Sequence, residues 1–131
     1  MNWKFLKKPW PPILWTAIIF ILMTIPGSSI PSHGLFGIPG LDKVVHAVMF
    51  GTLVWLWTSW LAAKNPSSKL FIIVSWASLG AIAYGTGMEF FQKYFVPTRS
   101  FDVGDILADA VGALIVWVIY WYWLRKKSTN T

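Results

Sequence analysis

Asp42, Glu89, Asp102, Asp105 and Asp109 are the only five acidic residues in this chain. Each lies at or just inside the end of a long apolar stretch. A carboxylate in or beside hydrocarbon is costly unless it finds a partner, so each is a candidate functional residue. Their spacing orders them into helical faces. Asp42 and His46 are four residues apart and Glu89 and Gln92 three, so each pair shares a face. Asp102, Asp105 and Asp109 fall on one stripe of a third helix. Several chemistries suit such groups. His46 beside Asp42 is an oriented base whose tautomer the carboxylate would hold, and Glu89 is placed for proton exchange. Glu89, Asp105, Asp109 and His46 also make an oxygen-rich set able to hold magnesium, manganese or calcium, although the sequence assigns no residue to a resident metal or cofactor. The candidates for catalysis are therefore His46, Glu89, Asp105 and Asp109. No nucleophile stands out: Ser100 is the nearest hydroxyl and no motif activates it. The absence of cysteine excludes a thiol nucleophile, a disulfide and a thiolate metal site.

The same region carries donors. Arg99 offers a planar fork suited to phosphate or carboxylate, and Lys43, Lys93, His46 and Gln92 add further hydrogen-bond donors. With the acids orienting these donors and accepting sugar hydroxyls, Asp42, Lys43, His46, Glu89, Gln92, Arg99, Asp105 and Asp109 form a binding set for an anionic lipid or glycolipid head group. A third reading is structural: Asp42, Lys43, Lys93, Arg99 and Asp102 as interfacial ion pairs that set helix register. Asp102, just outside its helix, also suits an N-cap. His33, in the Pro/Gly/Ser-rich segment from Pro26 to Gly40, is expected to be solvated. That segment is long enough to fold over the acids.

Four apolar stretches position these residues: Pro11 to Ile25, Lys43 to Ala62, Leu70 to Phe91 and Val103 to Leu124. A membrane-spanning helix needs about 20 mostly apolar residues, and the four are expected to span as an up-and-down bundle. The first is the shortest. It can be read as a signal-peptide core behind Lys4, Lys7 and Lys8, but no small-x-small cleavage site follows, and a retained helix is expected. Glu89 continues the row Ala77, Ala81, Gly85, and Ala108 and Gly112 flank Asp109. Small residues let membrane helices approach closely, so the acids are expected to face inward.

The linkers separate by charge. Lys4, Lys7, Lys8, Lys64, Lys69, Arg125, Lys126 and Lys127 flank one side of the spans, and Lys43, Lys93 and Arg99 the other. By the positive-inside rule both termini are cytoplasmic. All ten tryptophans lie in the tails or the cytoplasmic halves of the spans, as an interfacial belt would. The acids then share the outer face. Composition agrees with a chain dissolved in lipid: 56% hydrophobic and 12% charged, against roughly 25% charged in soluble domains. The net charge of +6 follows basic residues beside the spans and fits anionic lipid head groups, not nucleic acid. At 131 residues the chain, 1–131, is expected to form one domain.

Taken together, Asp42-Lys43-x-x-His46, Glu89-x-x-Gln92 and Pro97-x-Arg99-Ser100-x-x-x-x-Asp105-x-x-x-Asp109-x-x-Gly112 resemble the VanZ-like family of small membrane proteins. That family is named after a teicoplanin-resistance accessory protein. The resemblance runs from about Ile25 to the end of the fourth stretch. Two positions depart from it: Phe50 stands where many relatives carry tyrosine, and Asp109 where many carry asparagine. The resemblance implies a four-helix protein of the bacterial plasma membrane and attaches no particular reaction to it. It also implies a link to teicoplanin, whose acyl tail and lipid-linked target lie at this surface. The leading expectation is recognition of an anionic envelope lipid, such as a cell-wall lipid precursor or glycolipid. The alternatives are an enzyme acting on such a lipid by acid–base or metal-assisted chemistry, and a structural or partner-binding membrane protein.

Overall fold

The computed structural model describes residues 3–129. Met1, Asn2, Asn130 and Thr131 lie outside the described residues, so the expected cytoplasmic position of the chain ends falls partly on them. The described residues form four α-helices, three short 3-10 turns and no strand: α1 is Trp10–Met23, α2 Leu41–Lys64, α3 Leu70–Phe95 and α4 Val103–Thr129. Three of these, α2, α3 and α4, are long and apolar enough to cross a membrane.

The first helix departs from the expectation of a fourth full span. Pro11 and Pro12 fit its first turn, where their missing N–H groups have no intrahelical partner anyway. It ends at Met23 because Pro26 steers the preceding residue out of the α region. Its 14 residues rise about 21 Å, less than the roughly 30 Å hydrocarbon layer. The other helices extend past the ends expected for them. Helix α2 starts two residues earlier, after Gly40, whose φ of +79° is a backbone state that glycine enters at little cost.

Pairings between helices fix the threading. Along α2 and α4, Lys43 meets Asp105, His46 meets Asp109, and Ala47 and Gly51 meet Gly112. The positions rise together, so these helices run parallel. Along α3 and α4 they run oppositely: Glu89 meets Asp102, Gly85 meets Asp109, and Ser75 meets Trp117. Helix α1 runs with α3, through Thr16 to Tyr84 and Met23 to Gln92. Chain direction therefore alternates from helix to helix. Helix α2 packs against all three others, and supplies Met49, Phe50, Leu53 and Val54 to a core shared with Ile19, Met23, Val74, Ala81, Met88 and Ala113. Large apolar side chains such as Ile21, Val48, Trp76, Leu107 and Ile119 remain exposed. Helices apolar all round belong in lipid or in a larger core.

Candidate functional site

All five acids gather at the end of the bundle where α2 and α4 begin and α3 ends. Two hydrogen-bonded groups divide them. The outer group is centred on Lys43, whose Nζ lies 2.6 Å from Asp102 Oδ2, 2.6 Å from Asp105 Oδ1 and 3.0 Å from Asp42 Oδ2. Asp102 also caps α4: its Oδ1 accepts the Gly104 N–H at 2.7 Å, satisfying a donor the helix leaves open. Its carboxyl is held below the usual carboxylate range, first by the Lys43 ammonium and then by that N–H.

The inner group is buried. His46 Nδ1 lies 2.8 Å from Asp109 Oδ1 and its Nε2 lies 3.5 Å from Asp105 Oδ2. Glu89 is 0% exposed. Its Oε2 accepts the Asp102 backbone N–H at 2.9 Å, and its Oε1 has no partner. The Phe50 ring lies parallel to His46 at 6.4 Å between centroids and is itself fully buried. Phenylalanine here gives the imidazole an apolar neighbour with no hydroxyl.

One sequence expectation is corrected here. The partner that orients His46 is Asp109 of α4, not Asp42 of its own helix. Asp42, whose side chain is 62% exposed, turns to Lys43. A four-residue spacing puts two side chains on one face, but the parallel packing of α4 brings a buried carboxylate nearer. The small-residue row behaves as expected, with Ala81, Gly85 and Glu89 all buried on the packed face of α3.

The predicted donors divide. Gln92 is buried and its Nε2 donates to the Met23 carbonyl at 2.9 Å, tying α3 to the end of α1. Lys93 is exposed and lies over the Tyr94 ring, apart from the acids. Ser100 and His33 are exposed. Arg99 donates from Nε to the Ile25 carbonyl at 3.2 Å and forms no ion pair among the described residues. It lines a cavity of about 240 Å³ with Asp42 and His46 at its polar side and Leu22, Ile30, Phe36 and Val45 among its apolar walls. His46 thus belongs to both the buried acids and this groove.

Sequence reasoning missed the groove's walls. Ile30 and Phe36 come from the Pro26–Gly40 segment, which is pinned to the α3–α4 connection: Gly27 N–H donates to the Pro97 carbonyl at 3.3 Å and Ser28 N–H to Thr98 Oγ1 at 2.8 Å. Thr98 adopts a φ of +59° there, rare for a β-branched residue. The unusually apolar tetrad Leu35, Phe36, Ile38 and Ile30 in a glycine- and proline-rich segment was the available signal.

A bundle of apolar helices with a buried acid–histidine group at one end defines a small membrane protein with a polar site at one end of its bundle. The chain belongs to the VanZ/LLP1 family, whose model matches residues 3–125. No curated protein and no solved structure matches it.

Proposed function

We propose that this membrane protein binds an anionic lipid head group of the bacterial envelope in the groove beside Arg99, from the outer leaflet of the plasma membrane. In this reading all four helices are inserted and α1 is completed by its flanking segments. The observation that carries the proposal is the contrast between Lys43 and Arg99 at this end. The Lys43 ammonium is saturated by three carboxylates, whereas the Arg99 guanidinium has no anionic partner among the described residues and opens on an apolar-walled groove. A guanidinium in that setting grips phosphate or carboxylate through paired hydrogen bonds. A volume of about 240 Å³ is below the about 300 Å³ of a small drug pocket. It suits a head group and the first methylenes, with the remaining chain in the bilayer. The link to teicoplanin follows in the same reading if the bound lipid is one that the drug meets at this surface. A catalytic variant is favoured by one observation: the Asp109–His46 pair stands beside the free oxygen of Glu89.

The test is lipid binding in nanodiscs of phosphatidylcholine doped with phosphatidylglycerol, read by native mass spectrometry. Loss of a charge-assisted contact of about 1.5–3 kcal/mol should weaken anionic-lipid retention about tenfold or more in Arg99→Ala. Arg99→Lys should recover little of it, because the fork is lost. Lys93→Ala, remote from the groove, should bind as the parent does. Equal retention in Arg99→Ala and the parent would refute the reading.

A further inference from the structure

We propose that His46, Glu89 and Asp105 hold a divalent transition-metal cation, zinc or manganese, with Asp109 as the residue that orients the imidazole. The inference is independent of what Arg99 binds. It starts from how these side chains divide their atoms. Glu89 gives Oε2 to the Asp102 N–H, Asp105 gives Oδ1 to Lys43, and His46 gives Nδ1 to Asp109. Each therefore keeps one donor atom out of the scaffold: Glu89 Oε1, Asp105 Oδ2 and His46 Nε2. One ligand atom from each of the three residues lies within 4.8 Å of the others.

Two observations favour a cation at that point. Glu89 Oε1 is buried without a partner in a side chain that is 0% exposed, and a buried carboxylate oxygen left alone is expensive. His46 Nε2 faces Asp105 Oδ2 at 3.5 Å. In the tautomer that donates Nδ1–H to Asp109, both atoms are acceptors, and either a metal cation or a second proton on Nε2 must lie between them. Lys43 does not supply it, because its ammonium is turned to Asp42, Asp102 and the other oxygen of Asp105. The second acidic group, Asp42, Asp102 and Asp105, is by contrast filled by Lys43 and is no metal site.

The dimensions and ligand types agree. A metal about 2.0–2.2 Å from each ligand holds them about 3–3.6 Å apart, and His46 Nε2 and Asp105 Oδ2, at 3.5 Å, already stand at that spacing. One imidazole with two carboxylates suits manganese or zinc better than magnesium or calcium, which prefer all-oxygen shells. An imidazole whose second nitrogen bonds a carboxylate is the usual arrangement of a metal-bound histidine.

The experiment uses the full chain in detergent, stripped with chelator, and titrates zinc chloride or manganese chloride alone by calorimetry with metal analysis. One equivalent per chain is expected. Glu89→Gln should abolish it, Asp109→Asn should weaken it about 10–100-fold, and Asp42→Asn, in the lysine-filled group, should retain it. A parent protein that takes up no metal, or uptake unchanged in a folded Glu89→Gln variant, would overturn the proposal and leave a proton as the neutralising charge. Should the variants fail to fold, the parent still decides. Bound manganese should show a nitrogen hyperfine coupling that changes isotope in ¹⁵N-histidine protein and persists in His33→Ala. Absence of that coupling would also overturn the assignment.

Discussion

Lys43 holds three carboxylates of very different wetness, and that difference sets what each residue does. Asp105 is buried, Asp42 is largely in solvent, and Asp102 is half exposed at 46%. Asp102 therefore contributes a screened, acid-sensitive interaction in place of a strong one. Its folded-state pKa is lowered, so its contribution is present above the unfolded value of about 3.9 and is lost as pH falls through the lower folded value. Thermal unfolding in detergent should accordingly show an acid limb below about pH 4 that flattens in Asp102→Asn. Asparagine preserves the capping oxygen while removing the charge, so a variant with an undiminished acid limb would assign that limb to other carboxylates.

At the scale of elements, the site depends on how closely α2 and α4 approach. A Cβ on Gly112 would overlap the carbonyl oxygen of Ala47, and one on Gly51 would sit 3.2 Å from the Gly112 carbonyl oxygen. This backbone-to-backbone contact lets the short side chains of Asp105 and Asp109 reach Lys43 and His46. Gly112→Ala should destabilise the bundle by about 1–3 kcal/mol, the usual cost of overpacking, and should separate His46 from Asp109. Gly80→Ala is the matched control, since nothing lies within 4 Å of its added methyl. Comparable thermal unfolding of the two variants would show that the approach is not tight. A second element-level tie is the Gln92 bond to Met23, which anchors the short α1 where it has no length to spare.

For the whole molecule, the acids, Arg99 and the Pro26–Gly40 segment lie at one end, and Lys64, Lys69 and Arg125 at the other. By the positive-inside rule the basic end is expected in the cytoplasm. Single cysteines at His33 and at Thr98 should react with an impermeant reagent added outside intact cells. A cysteine at Lys69 should react only after lysis. Outside labelling of Lys69 would invert the molecule and move the groove to the cytoplasmic leaflet. The alternating pairings make His33 and Thr98 share a side in either case, so their disagreement would contradict the fold itself.

Much of this protein was legible in its sequence because hydrocarbon is an undiscriminating solvent. Length and apolarity alone mark α2, α3 and α4, a proline pair marks the start of α1, and the small-residue row through Gly85 to Glu89 marks the face that packs. Helical spacing put Asp105 and Asp109 on one face of α4, where both are buried. It could not say which acid on one helix meets which base on another, since that depends on helix direction, rotation and separation. Tertiary packing decided that His46 is paired to Asp109 instead of Asp42, that Gln92 is spent on Met23, and that Lys43 is saturated while Arg99 is left to face a groove. It also decided that Ile30 and Phe36 form the walls of that groove. Those outcomes turn on contacts between residues tens of positions apart, and a one-dimensional pattern holds no term for the glycine-to-carbonyl distance that lets them form.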